Sequence, residues 1–272
     1  MRTDLDKATL VLSMLLEGMS IRACERLTGL NRETICHLII TVGDNCERFL
    51  KNTVRDVVAE NIECDELWSF IGMKEKVRVT RDASESLGDC WTFIALDRST
   101  KLILTHTVVK RDGETTRQFL SSLKESVCGR FQITTDGFGP YTNGVPMMFG
   151  NQCDFAQLVK DYQSTQTETR YSPAKIISAT NTPRFGNPDP DKICTSHIER
   201  LNLTIRMHCR RFTRLTNAHS KSLAHHTAMQ AILVAWYNFC RKHETLKTTP
   251  AVASALASKP WSVRELLEQA AG

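Results

Sequence analysis

Three acids stand out in the 272-residue chain because each occupies a place where a carboxylate has to be accounted for. Asp65 lies inside the apolar run Ile62 to Ile71, where an uncompensated charge is costly. Asp136 follows directly on the short apolar segment Phe131-Gln132-Ile133-Thr134-Thr135, and Gly137 beside it lets a ligand approach the backbone closely. Glu199 stands near the start of a helical run. Carboxylates converging from separate elements can hold two divalent cations about 3.5–4 Å apart, the arrangement used to clamp the attacking and leaving oxygens in phosphoryl transfer.

The surroundings of Glu199 fit a polyanionic ligand. At about 100° per residue, Glu199, Asn202, Arg206, Arg210 and Thr213 fall within about 80° of one another, whereas Ile198, Leu201, Ile205 and Phe212 form an apolar stripe to one side. One face packs, and its neighbour offers an acid, an amide and two arginines. The bland alternative is a solvated side of an amphipathic helix. For such a helix taken alone the second is the commoner case; along the chain, ten Lys and Arg against three acids lie between Asp191 and Lys247, a surplus larger than the whole chain's net charge of +5. Basic residues concentrated beside one glutamate suit phosphate binding.

The elements that must position these groups follow from periodicity. Residues 5–55 have helical spacing and no strand-like run. Within them Ser20 to Leu38 has the form of a helix-turn-helix: Gly29 at the turn, Asn31 as a cap, and Leu27, Leu30, Ile35 and Leu38 spaced to close a small core. Arg32, Thr34 and His37 then face outward, either into a DNA major groove or merely to solvent. From Ile62 the pattern turns to strands at 62–71, 90–96 and 102–109, with Asp97-Arg98-Ser99-Thr100 as a hairpin turn, so three antiparallel strands are expected first. A helix over Thr115 to Val127, the strand Phe131–Thr135 and another at Cys153 to Val159 follow. Residues 163–191 are polar and proline-punctuated, which predicts a loop insertion. Helices resume near Thr195, and a last one, capped by Ser262, fits 263–270. The expectation is an α/β protein with a mixed five-stranded sheet and flanking helices, divided as a helical segment 1–56, a core 57–251 and a helical tail 252–272.

The runs Ile62-Glu63-Cys64-Asp65-Glu66-Leu67-Trp68-Ser69-Phe70-Ile71-Gly72, Thr135-Asp136-Gly137-Phe138-Gly139-Pro140-Tyr141 and Ser196-His197-Ile198-Glu199-Arg200-Leu201-Asn202-Leu203-Thr204-Ile205-Arg206 resemble the three acidic motifs of DDE transposases of the insertion-sequence-one type. Tyr237 to Ala251 is similar to the segment that follows the catalytic helix in many bacterial transposases and integrases. The resemblance implies a ribonuclease H-like fold in which Asp65, Asp136 and Glu199 hold two Mg²⁺ or Mn²⁺ ions. It implies nicking at the terminal inverted repeats of a mobile element, then attack of the freed 3′-hydroxyl on target DNA. Arg206 matches a basic position near the terminal phosphate in related enzymes, and bringing two ends together implies a homodimer. The chain departs from the pattern too. Lys192 and Thr195 stand where basic and aromatic residues often precede the glutamate, and no zinc-binding leader is seen, so end recognition is expected to rest on the helix-turn-helix.

Other residues receive lesser roles. Glu63 and Glu66 are read as pointing to the sheet face opposite Asp65 and so as poor metal ligands. His197 is either a helix-start residue or a phosphate contact, and Asn202, Arg206, Arg210 and Arg211 are candidate DNA contacts. Trp68 and Trp91 read as sheet core. His225-His226 lacks a spaced third ligand. The ten cysteines form no C-x-x-C pair, no signal peptide is visible, and the longest apolar stretch is too short to span a bilayer, which together predict a cytoplasmic protein. No G-x-S-x-G or phosphate-binding glycine loop appears. Two competing readings keep the same fold: a catalytically inactive DNA-binding regulator, and a nuclease or resolvase that cuts without strand transfer.

Overall fold

The computed structural model describes residues 4–162, 176–213 and 216–271. Capping chemistry sets the first helices. After α1 (Leu5–Leu16), the Ser20 hydroxyl accepts the Ala23 N–H and starts α2 (Ile21–Thr28), which ends at Gly29 with φ +70°, a conformation glycine adopts without steric cost. Asn31 then accepts the Glu33 N–H and opens α3 (Arg32–Thr53). Ile35 and Leu38 are buried as their spacing requires. Leu27 is not: it is 62% exposed, and Cys24 fills the inward position on α2 instead.

The sheet starts with β1 (Asn61–Ile71), followed by the short α4 (Glu75–Thr80), then β2 (Gly88–Asp97) and β3 (Ile103–Val109). These three pair antiparallel as expected, and Asp97 makes the turn by accepting from Ser99 and Thr100. Asp112 caps α5 (Gly113–Ser126), which leads to β4 (Phe131–Thr135), α6 (Pro140–Phe149) and β5 (Cys153–Tyr162). Parallel ladders join β1 to β4 and β4 to β5.

The expected loop insertion contains a sixth strand, β6 (Ile176–Phe185), antiparallel to β5, so the mixed sheet has six strands in the order β3-β2-β1-β4-β5-β6 rather than five. Pro183 argued against a strand in the sequence, yet β6 is an edge strand and its register shifts near that proline, where a missing N–H costs no interior ladder bond. Of the rest of the expected insertion, 163–175 lies outside the described residues, and 186–191 lead from β6 into a 3₁₀ turn at Pro190–Lys192.

After the sheet come α7 (Ser196–His208), α8 (Leu223–Phe239), α9 (Pro250–Ala253) and α10 (Val263–Ala271), the last begun by a reciprocal Ser262/Glu265 capping box. α5 and α6 cover one sheet face through Phe119 and Tyr141 against Phe93. α7 and α8 cover the other, where His226 of α8 bonds Ser69 and Asn238 brackets the Ile103 backbone. A single hydrophobic cluster runs from Ala8 through the sheet to Ala270, so the N-terminal helices share their core with α8 and α10. Among the described residues no helix is long and apolar enough to cross a membrane.

The α3–α8 crossing depends on one missing side chain. A Cβ on Gly43 would sit 2.4 Å from the Ala228 Cβ and 2.5 Å from its Cα, so the helices can approach this closely only at glycine. Gly43→Ala is expected to destabilise the fold by about 1–3 kcal/mol through overpacking, measured as a lowered midpoint of urea unfolding. An unchanged midpoint would mean that the helices are not in that contact.

Candidate functional site

Strand register brings the first two acids together. β1 and β4 run parallel with Cys64 opposite Thr135, so Asp65, the next residue of β1, lies near Asp136, the residue that follows β4. Neighbouring strands lie about 4.8 Å apart. Glu66 joins them, and one ligand oxygen from each of Asp65, Glu66 and Asp136 lies within 4.8 Å of the others. Asp65 is fixed from both sides: Oδ1 accepts the Glu66 N–H at 2.9 Å, and Oδ2 accepts the Asn202 side-chain amide at 2.7 Å. Asp136 Oδ1 accepts the Phe138 N–H at 2.9 Å, while the buried Gln157 amide donates to the carbonyls of Asp136 and Phe138 and holds the loop after β4.

The electrostatics are those of crowded acid in low dielectric. Burial, followed by the Asp136 charge, raises Asp65 to about 6, with Glu199 adding to the rise. Burial and Asp136 raise Glu66 to about 7. Its Oε2 accepts two hydrogen bonds from Arg111 at 2.8 and 3.0 Å, whereas Oε1 neighbours the buried Tyr141 hydroxyl without well-formed hydrogen-bond geometry. Arg111 itself is stacked 4.0 Å over Phe138 and 4.8 Å over Trp91, and reaches Asp136 Oδ2 at 3.5 Å. Several negative groups and an undersatisfied buried carboxylate oxygen around one point suit a hard divalent cation with oxygen ligands.

Glu199 comes from the opposite side, on the first turn of α7, close enough for its charge to raise Asp65 but outside the three-acid cluster. Its Oε1 is bound by Lys160 of β5 and by the Thr195 hydroxyl at 2.7 Å. The structure thus brings carboxylate oxygens of Asp65 and Asp136 within 4.8 Å of each other and leaves Glu199 beside them, tied to a lysine.

Several expected positions change. Glu63 shares Asp65's face, as two residues of strand spacing demand; only Glu66 projects to the other side. Glu63 Oε2 accepts the His197 and Ile198 N–H groups at 3.0 and 2.9 Å, and Oε1 pairs with His197 Nδ1 at 2.7 Å, so His197 is tied to a carboxylate while part of its ring stays exposed. Asn202 is buried against Asp65 and is not a DNA-facing amide, because that side of α7 is turned to the sheet. Arg210 does not continue the Glu199 face either: α7 ends at His208, and residues 210–212 form a separate 3₁₀ turn. Arg206 stays on α7 and makes contacts of its own.

Arg210 and Arg211 instead line an open cleft of about 800 Å³ with Arg22, Arg32, Lys221 and His225, between the N-terminal helices and the α7–α8 connection. His37 is exposed, while Thr34 is half-buried. Arg111 and Lys160, the two cations on the acids, were not singled out by sequence. Lys160 falls one residue past the expected end of β5, and nothing in its local pattern marks it.

No family model matches the chain. Among curated proteins it is similar to the InsB protein of insertion element iso-IS1n from Shigella dysenteriae, 27% identical over 164 residues that span 60% of this chain and 86% of that protein. Among solved structures it is similar to piggyBac transposase in a synaptic complex with hairpin DNA, at 11% identity and a TM-score of 0.48, covering 98% of this chain and 70% of that one.

The raised acids make stability depend on pH. Asp65 and Glu66 hold protons more tightly folded than unfolded, so their contribution is fully present below about pH 4 and is lost as pH rises through about 6 to 7. Without divalent cations, the melting temperature of wild type relative to Asp65→Asn is expected to fall between pH 5 and 8. Adding Mg²⁺ at pH 8 should restore it in wild type alone, whereas a pH-independent difference would contradict the assigned strain.

Proposed function

We propose that the chain is a DNA transposase with a ribonuclease H-like catalytic core over residues 57–251. It cuts strands at the terminal inverted repeats of a mobile element and joins the freed 3′ end to target DNA. The observation that carries this is the meeting of Asp65 and Asp136 on adjacent parallel strands beneath the helix that bears Glu199. Similarity to an insertion-element protein over 60% of the chain supports it independently.

In this reading Asp65, Asp136 and Glu199 hold two Mg²⁺ or Mn²⁺ ions, with Glu66 as a nearby acid. Bound there, such ions supply Lewis-acid polarisation of the scissile phosphate and activation of the attacking hydroxyl. Asn202 keeps the Asp65 carboxylate oriented, and Gln157 fixes the backbone that presents Asp136. Glu199 leaves Lys160 to join the other acids, which frees Lys160 to meet a phosphate oxygen. Arg111, clamped between Trp91 and Phe138, limits the repulsion between Glu66 and Asp136 before substrate arrives.

DNA then runs from this site along the basic cleft. From Glu199 to His208, α7 rises roughly 14 Å, leading from the acids toward Arg210 and Arg211. Arg206 lies between them on the same helix, positioned for a terminal phosphate. Residues 1–56 form the reading unit, with α2 and α3 as a helix-turn-helix whose Arg32, Thr34 and His37 approach base edges in the major groove. Residues 252–272 buttress that unit as a helical tail. Two copies would hold the two ends of one element.

On DNA carrying the repeats that flank the coding sequence, Asp136→Asn should lower Mg²⁺-dependent nicking by roughly 10³-fold or more while binding persists. Equal nicking by the two proteins would refute the assignment. Nicking without joining of a labelled 3′ end to a second duplex would point to a nuclease or resolvase, and binding without nicking in wild type to a regulator.

A further inference from the structure

A second group of metal-ligating side chains lies on the Asp65 face, outside the acids assigned above. Glu63, Cys194 and His197 each offer one ligand atom within 4.8 Å of the others. They come from two elements: Glu63 from the buried middle of the sheet, and Cys194 and His197, a C-x-x-H pair, from the entry to α7. His197 Nδ1 stands 2.7 Å from Glu63 Oε1 and 4.0 Å from Cys194 Sγ.

We propose that Glu63, Cys194 and His197 form a zinc site that pins the first turn of α7 to β1. Zn–S bonds of about 2.3 Å and Zn–N bonds of about 2.0 Å put neighbouring ligands of a tetrahedral ion roughly 3.3–3.6 Å apart. The two separations from His197 Nδ1 bracket that range, so relative to the imidazole the sulfur needs to move in and the carboxylate out by only several tenths of an ångström. Thiolate, imidazole and carboxylate together select a borderline ion such as Zn²⁺ over Mg²⁺, which prefers oxygen ligands.

The surrounding contacts are those expected around such ligands. Glu63 Oε2 is held by the His197 and Ile198 N–H groups, which leaves Oε1 turned to the imidazole in a fixed orientation. The Ser196 N–H donates to Cys194 Sγ at 3.3 Å, and the Ser196 hydroxyl lies 3.0 Å from it, both favourable to a thiolate. On binding, the thiol proton leaves to solvent, the imidazole keeps its remaining proton on Nε2, and the fourth position is open to water. Cys194 and His197 are only partly buried, so the ion has a way in. The consequence is mechanical: an ion held two residues before both Asp65 and Glu199 would set the spacing between the strand and the helix that carry them.

The test uses the full-length chain stripped of metal and titrated with Co²⁺, then with Zn²⁺ in excess Mg²⁺. Wild type and Asp136→Asn should both develop a thiolate-to-cobalt charge-transfer band that corresponds to one Co²⁺ per chain and that Zn²⁺ abolishes. Cys194→Ser should lose the band and bind Zn²⁺ more than about tenfold more weakly, with no Zn²⁺-dependent rise in melting temperature. Because Asp136→Asn silences the acidic site, this result stands or falls apart from the proposed strand cleavage. Absence of the band in wild type, or equal Zn²⁺ affinity in Cys194→Ser, would overturn the site and leave Glu63 and His197 as a helix-anchoring hydrogen-bonded pair.

Discussion

Parallel pairing of β1 with β4 is the constraint from which the rest of the site follows. It sets Asp65, within the sheet, beside Asp136 at the exit of β4, where two carboxylates are costly neighbours. The chain meets that cost with the Asn202 amide from α7 and with Arg111 just past β3, while the Gln157 amide from β5 holds the Asp136 backbone carbonyl. Each belongs to a different element. The site is therefore a property of the assembled sheet and not of any one motif.

The same interior ties the acids to the N-terminal helices. α3 packs on α8 through Gly43, and α8 in turn holds β1 and β3 through His226 and Asn238. Helices that would read DNA thus do not hang on a free linker; they rest on the helix that buttresses the sheet. The basic cleft lies along this junction, with Arg32 on one wall and Arg210 and Arg211 on the other. A ligand spanning it would touch both parts at once.

Much of this was legible in the residues. The closeness of Asp65 and Asp136 was foreshadowed because carboxylates in or beside apolar segments need a reason, and caps at Ser20, Asn31 and Ser262 set helix starts where they are observed. Edge-strand tolerance hid β6, since Pro183 signals a loop unless its strand partner is known on one side only. Helical-wheel reasoning grouped Asn202 and Arg210 with Glu199, but the wheel cannot tell which face meets the sheet, nor that the helix stops at His208. Glu63 was readable from strand alternation alone, since residues two apart share a face. Arg111 and Lys160 were not, because long cationic side chains meet their acids only through tertiary packing.

What remains most exposed to test is whether Glu199 joins the other two acids. Crystals soaked in Mn²⁺ and measured at the manganese absorption edge address this directly. The account predicts anomalous density between Asp65 and Asp136, extending to a Glu199 carboxylate that has left Lys160. A Glu199 still bound to Lys160, with no manganese at the Asp65–Asp136 pair, would contradict it.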